Sequence, residues 1–375
     1  MITEFDLPRT DQPTHFDNGS DWSMGTPSRI IGRAAHDAWV DADGNVWMAD
    51  DMVPERTFAK LDPRTGVVTD YAIKGHEGKT VGTHSIVVDH TGMVWGGGEE
   101  GNFVMLNPGT GELKHFERPA GMTATVGGTV DVDSEGNPWG TSRNGAIKLD
   151  VASGTYTHYE GPPARSGFCG TDCGNWGTYG ITLDRDDNAW VTNPGLDRFL
   201  KVDSRTGEVT AVNLASLVTP DETDVDRLRR QTVRASQNSA PPGQKAPRRT
   251  AADPNADVVW TALYTADRIA RIDTKTNEVK EYQLPTQFSA PYALAVDRDG
   301  VVWINTMNHD ALTRFDPRTE RFTEYFLPTR GTEIRHVQVD NSTEIPTIWA
   351  PYNRTNKVVR LQFRAAADQQ ASAAR

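Results

Sequence analysis

Short apolar/polar alternations of period two run along the chain, broken every few residues by Gly, Pro, Asn or Asp. That period places alternate side chains on opposite faces of a strand, so each burst reads as a half-buried β-strand. The stretch 36–50, HDAWVDADGNVWMAD, defines the unit: an apolar strand over Ala38 to Val40, a tight turn at Asp43-Gly44, and a second strand opening on Trp47. Glycine in that turn supplies φ > 0 without steric cost, which suits an antiparallel hairpin. The same text returns from His84, Gly128, Tyr179, Ala252, Tyr292 and Arg335, giving seven copies.

Each copy continues into a second hairpin, as in FAKLDPRTGVVTDYAI (58–73) and LTRFDPRTERFTEYFLP (312–328). The repeat tryptophans Trp47, Trp95, Trp139, Trp190, Trp260, Trp303 and Trp349 lie about 43 to 51 residues apart, with one step of about 70. Four antiparallel strands at that period predict an all-β, seven-bladed β-propeller. The seventh copy stops after its third strand, KVVRLQF (357–363). The opening Thr3-Glu4-Phe5-Asp6-Leu7-Pro8 matches Thr323-Glu324-Tyr325-Phe326-Leu327-Pro328, so the N-terminal strand is expected to complete the last blade. Closing the ring removes the strand edges an open row of blades would expose. Residues 1–364 are therefore expected to form one domain, with 365–375 a polar, disordered tail. Insertions at 9–35, 161–178 and 215–247 all fall on the face that carries the second-to-third and blade-to-blade connections, which predicts a roofed pocket there. The last of these has an alternative reading as a solvated insertion.

Composition narrows the partners. A formal net charge of −12 argues against nucleic acid, which needs a basic face. No apolar run approaches the roughly 20 residues of a membrane span, and MITEFDLP is strand sequence and not a signal peptide. A small-molecule substrate and a monomer are expected. The compartment stays open between cytoplasm and, had a leader been removed, periplasm or exterior. Cys169 and Cys173, in GFCGTDCGN, either close a short disulfide or remain thiols.

The position five residues before each blade's Asp should face the central channel. Round the ring it reads His36, His84, Gly128, Tyr179, Arg248, Tyr292 and Arg335, a set poorly suited to packing. The ends of the second strands add Asp50, Asp51, Glu99, Glu100, Arg143, Asn193, Asn305 and Asn353. His36, His84, Tyr179, Tyr292 and Arg335 are the catalytic candidates, as bases, proton donors or charge stabilisers. Arg248 and Arg143 suit a substrate carboxylate or oxyanion, joined as substrate contacts by Asn193, Asn305, Asn353 and the loop tryptophans Trp22 and Trp176. Asp50, Asp51 and Glu99 beside the two histidines suit a divalent metal such as Mg²⁺ or Ca²⁺; no organic cofactor is expected. A bland reading gives His36 and His84 only hydrogen bonds to neighbouring loops. His336 is expected to be a packing histidine, and Trp39 core.

The blade text PYALAVDRDGVVWINT, with its D-P-R-T turn and TEYFLP, resembles the streptogramin (virginiamycin B) lyase family over essentially all seven blades. The resemblance implies elimination across an ester C–O bond of a cyclic depsipeptide, with Mg²⁺ held by carboxylates at the last blade and a histidine base beside them. Position by position, Glu333 falls where the family's first metal-binding Glu lies. Arg335 stands at the base histidine, Asn353 at the second Glu, and Tyr292 at a further histidine. The departures direct the expectation to another ester or lactone substrate. A metal-dependent lactonase or other hydrolase, and a non-catalytic binding scaffold, are the alternatives.

Overall fold

The computed structural model describes residues 1–7, 35–50, 57–73, 84–97, 101–163, 177–215 and 244–363. The insertions expected at 9–35, 161–178 and 215–247 lie wholly or mostly outside these residues. The tail 365–375, the cysteines, Trp22, Trp176, Asp51, Glu99 and Glu100 lie outside them altogether.

Seven four-stranded antiparallel sheets form the blades of a propeller. The chain opens with β1 (Ile2–Asp6). Blade one then runs from β2 (Ala35–Val40) through β3 (Val46–Asp50) and β4 (Thr57–Asp62) to β5 (Val67–Ala72). Blades two to six repeat this order, taking β6–β9 (87–116), β10–β13 (130–160), β14–β17 (181–213), β18–β21 (247–283) and β22–β25 (291–326). In blade seven, β26 (Gln338–Asp340), β27 (Thr347–Tyr352) and β28 (Lys357–Leu361) are completed by β1, which pairs with β28 from Ile2↔Leu361 to Asp6↔Lys357. First strands of neighbouring blades pack against one another all the way round.

The borrowed strand is held as an ordinary fourth strand is. Leu214, Leu284 and Leu327 each donate their amide to the carbonyl of the preceding turn residue, Asp197, Asp267 or Asp310; Leu7 does the same to Asn356. Glu4 adds a cross-blade tie, accepting from Tyr352 Oη at 2.8 Å and Thr329 Oγ1 at 2.8 Å.

The repeated Asp and Trp explain each other. Asp41 Oδ1 accepts the amides of Asp43 and Asn45 across the first turn, while its Oδ2 takes the Trp47 indole N–H at 2.8 Å. Asp89, Asp133, Asp184 and Asp297 hold Trp95, Trp139, Trp190 and Trp303 in the same way, at 2.8 to 3.1 Å. One carboxylate thus fixes the turn and satisfies a buried indole donor. Blades five and seven have longer turns, Asp253 to Trp260 and Asp340 to Trp349, and both indole N–H groups are buried without a partner. In the first turn of blade one only Gly44 has positive φ (78°), so the hairpin is a longer turn closed by one left-handed residue and not the tight Asp-Gly turn the sequence suggests.

The repeat tryptophans are buried between blades, each cluster mixing residues of adjacent sheets. No helix among the described residues is long and apolar enough to cross a membrane.

Candidate functional site at the channel

Three of the inner strands carry a β-bulge at the same height. In β2, β18 (Pro247–Ala252) and β22 (Pro291–Val296) the register shifts between Ala35 and Ala38, between Pro247 and Thr250, and between Pro291 and Leu294. Two residues there oppose one on the partner strand, which breaks strict alternation. His36 with Asp37, Arg248 with Arg249, and Tyr292 with Ala293 are the doublets this produces.

The ring positions meet as the period predicts. His36 and His84 lie against each other with ring centroids 4.1 Å apart and planes tilted by 40°, and a Cβ on Gly128 would lie 3.8 Å from His84 and 3.9 Å from Tyr179. Tyr179 and Tyr292 share a short hydroxyl–hydroxyl hydrogen bond. The Arg248 guanidinium lies over the rings of Tyr179 (5.0 Å), Tyr264 (5.0 Å) and Tyr292 (5.4 Å). His36, Tyr179, Arg248, Tyr292 and Arg335 are all buried. Together with His84 and Gly128 they form a polar layer across the channel.

Beneath that layer lies the feature the sequence reading missed. Asp37 Oδ1 sits 2.8 Å from His36 Nδ1, and Arg249 grips the same carboxylate through Nη1–Oδ2 at 2.9 Å and Nη2–Oδ1 at 2.7 Å. Burial pushes the Asp37 carboxyl up, but Arg249, His336 and His36 together hold it well below the usual carboxylate range. It is therefore ionised and accepts only, so the proton on His36 belongs on Nδ1 and Nε2 carries the lone pair. His36 Nε2 is buried with no hydrogen-bond partner. Burial lowers the His36 pKa to about 4, which keeps the imidazole neutral at pH 7. Burial, with His36 and Arg249 adding to it, also takes His84 well below 6.5. A carboxylate orienting one ring nitrogen and leaving the other as a neutral base is the arrangement general-base chemistry requires. His336 lies half-buried against the same network, its pKa lowered by desolvation to about 4, and its Nδ1 takes the Ala38 amide at 3.4 Å.

At the last blade Glu333 is committed elsewhere. Arg335 Nε approaches its Oε1 at 3.0 Å with Nη2 closer still, and Arg354 Nε binds its Oε2. Burial pushes the Glu333 carboxyl up, yet the two guanidinium groups hold it below the usual range. With both oxygens taken by cations, Arg335 at the base position and an amide at Asn353, the residues present do not fit the magnesium site that the resemblance implies. Among the described residues, no group of three or more His, Cys, Asp or Glu is placed to hold a metal ion. Asp50 is buried at the end of β3, opposite Ala35.

The amide candidates divide. Asn305 is a structural stitch, accepting from Ala293 N–H at 2.6 Å and donating to the Ile334 carbonyl at 2.6 Å. Asn193 and Asn353 are buried with neither amide atom hydrogen-bonded. Arg143 is exposed, and its backbone forms an isolated antiparallel bridge with Gly177. Trp39 is half-buried and reaches the channel wall.

The Virginiamycin B lyase family profile matches residues 221–371, the stretch that holds blades five to seven. No curated protein matches the chain. Among solved structures, a streptogramin B lyase overlays with TM-score 0.68 at 18% identity, covering 97% of this chain and 98% of that one. Virginiamycin B lyase from Staphylococcus aureus gives 0.68 at 17%, covering 97% and 99%. A catalytically inactive variant of the same enzyme with quinupristin gives 0.69 at 16%, covering 97% and 100%. At such identities the overlays speak for the fold, and the profile match speaks for the last three blades. The chain is a seven-bladed propeller that resembles the virginiamycin B lyase family, as its blade text predicts.

Proposed function

We propose that this protein opens an ester-linked or lactone-type small molecule by elimination at the polar layer of the channel, with no metal in the chemical step. The observation that carries the reading is His36: neutral, oriented through Nδ1 by ionised Asp37, and with Nε2 free of any partner. In the proposed step Nε2 removes the proton α to a carbonyl. The electron pair forms a C=C bond, and the β C–O bond breaks to release a carboxylate. Arg248 and Arg335 supply the positive field that a metal would otherwise provide for the enolate-like charge and the departing carboxylate. The Tyr179–Tyr292 hydroxyl pair adds a donor beside Arg248.

Mass spectrometry of the purified protein incubated with quinupristin, simple depsipeptides and lactones tests this directly. Elimination opens a ring with no change in mass, whereas hydrolysis adds one water. The expected result is an isobaric ring-opened product, unchanged by EDTA, with His36→Ala slower by roughly 100- to 10,000-fold. A water-adding product would install the hydrolase reading instead. Binding without turnover would leave a scaffold and end the enzymatic one.

A further inference from the structure

Three blades are entered through one repeated device. Asp197, Asp267 and Asp310 each occupy a left-handed turn residue after their blade's second strand, with φ 46°, 52° and 47°. Each carboxylate then accepts two backbone amides from the chain entering the next blade. Asp197 takes Lys245 (2.9 and 3.0 Å) and Ala246 (2.8 Å), Asp267 takes Phe288 (2.6 Å) and Ala290 (3.1 Å), and Asp310 takes Gly331 (2.9 Å) and Thr332 (2.8 Å). Beside each clip stands a second left-handed residue, Ala246, Ala290 or Glu333, at φ 48°, 50° and 48°. These lie two residues before Arg248, Tyr292 and Arg335, the ring positions of the next blade. An alanine avoids that region unless its surroundings over-determine it, and the clip does so.

The clip ahead of Arg248 has the most to control, because the doublet it introduces contains Arg249. Asp197 is only 3% exposed, and its Oδ1 accepts both amides. Further on, the Thr192 and Thr261 hydroxyls donate to the carbonyls of Arg248 (2.6 Å) and Arg249 (3.0 Å). Those ties hold the peptides of the bulge, while the clip sets the direction from which the chain enters it. Arg249 leaves this doublet to hold Asp37 with both terminal nitrogens.

We infer that Asp197 is a positioning residue for the channel: by clipping Lys245 and Ala246 it aims the Arg248–Arg249 doublet and keeps Arg249 on Asp37, the carboxylate that orients His36. The inference rests on the reading above only in giving His36 the role of a base, and its test needs no turnover.

The test is an NMR titration of the folded protein labelled with ¹⁵N-histidine, the His36 signal being assigned by its loss in His36→Gln. Asp197→Gly keeps the left-handed turn and deletes the acceptor. Asp197→Asn keeps Oδ1, and Asn144 and Asn356 already hold φ 53° at the equivalent turn of other blades. Both variants remove the same charge, so the difference between them reports geometry alone. Burial is the largest influence on the His36 pKa and lowers it; Asp37 raises it, and Arg249 lowers it. Releasing Arg249 from Asp37 should therefore place the His36 pKa about one unit or more higher in Asp197→Gly than in Asp197→Asn. Asp197→Asn should titrate as the wild type does. Asp197→Ser, whose shorter hydroxyl reaches the two amides less well, should shift in the same direction and serves if the glycine variant does not fold. A role confined to stability would lower the melting temperature of Asp197→Gly without moving the His36 titration. That result, or an equal shift in the glycine and asparagine variants, would overturn the assignment. The expected shift without any turnover by the wild type would strike the elimination alone.

Discussion

Acidification should unfold this protein through its channel, well before its surface carboxylates titrate. His36 and His336 each have a folded pKa of about 4 because burial disfavours the imidazolium, against 6.5 in the unfolded chain. As pH falls below 6.5 the unfolded state takes up these protons first, so their stabilisation is complete above 6.5 and is lost progressively down to about 4. Each pH unit in that window removes about 1.4 kcal/mol per histidine, so each costs roughly 3 kcal/mol across it. Together they amount to about 7 kcal/mol, comparable with the 5–15 kcal/mol total of a typical folded protein. His84, lowered in the same direction, steepens the fall. Urea denaturation at fixed ionic strength, in half-unit steps from pH 7.5 to 4.5, reads the slope directly. The His36→Gln/His336→Gln double variant should flatten it by about 2.7 kcal/mol per pH unit. A wild-type free energy of unfolding that stays level from pH 7 to 5, or a slope the double variant leaves unchanged, refutes the burial argument.

Three further outcomes follow from named contacts. Asp37→Asn leaves the Arg249 guanidinium buried without its counter-charge and should cost about 3–5 kcal/mol in chemical denaturation, with loss of any His36-dependent turnover. Phe288 has φ 57° and is 79% exposed, and its amide is clipped by Asp267 just as Gly331, with φ 70°, is clipped by Asp310. Phe288→Gly removes that strain and buries nothing less, so a net gain of about 0.5–1 kcal/mol is expected after glycine's own entropy cost; a loss of stability would contradict it. Trp303→Phe strands the Asp297 oxygen that its indole satisfies at 3.0 Å, whereas Trp260→Phe removes a donor that has no partner. Thermal denaturation should therefore show Trp303→Phe as the costlier by about 1–2 kcal/mol.

The blade architecture was legible because its causes are local. The Asp-to-Trp spacing of six residues is the geometry of one carboxylate binding a turn and an indole, and the opening strand shares its text with Thr323–Pro328. The ring of channel residues was legible for the same reason, and His36, His84, Tyr179, Arg248, Tyr292 and Arg335 do come together. Asp37 and Arg249 were missed because alternation assigns them to the opposite face, and the bulges overturn alternation at that height. The signal was present as consecutive polar pairs, His36-Asp37 and Arg248-Arg249, in strands otherwise apolar on both sides. Expecting packing alone for His336 missed the Asp37–Arg249 pair beside it. The engagement of Glu333 by Arg354, from the following hairpin, carries no mark in the sequence.

The pairing of β1 with β28 also dictates a schedule for synthesis. On the ribosome the first strand emerges some 350 residues ahead of its partner, so it waits as an orphan while the intervening blades are made. Six sectors have time to assemble in order, while the circle itself is sealed only once β28 has emerged. A chaperone shielding those opening residues, or a codon change that slows the final stretch, would act on that last fastening and leave the earlier sectors untouched.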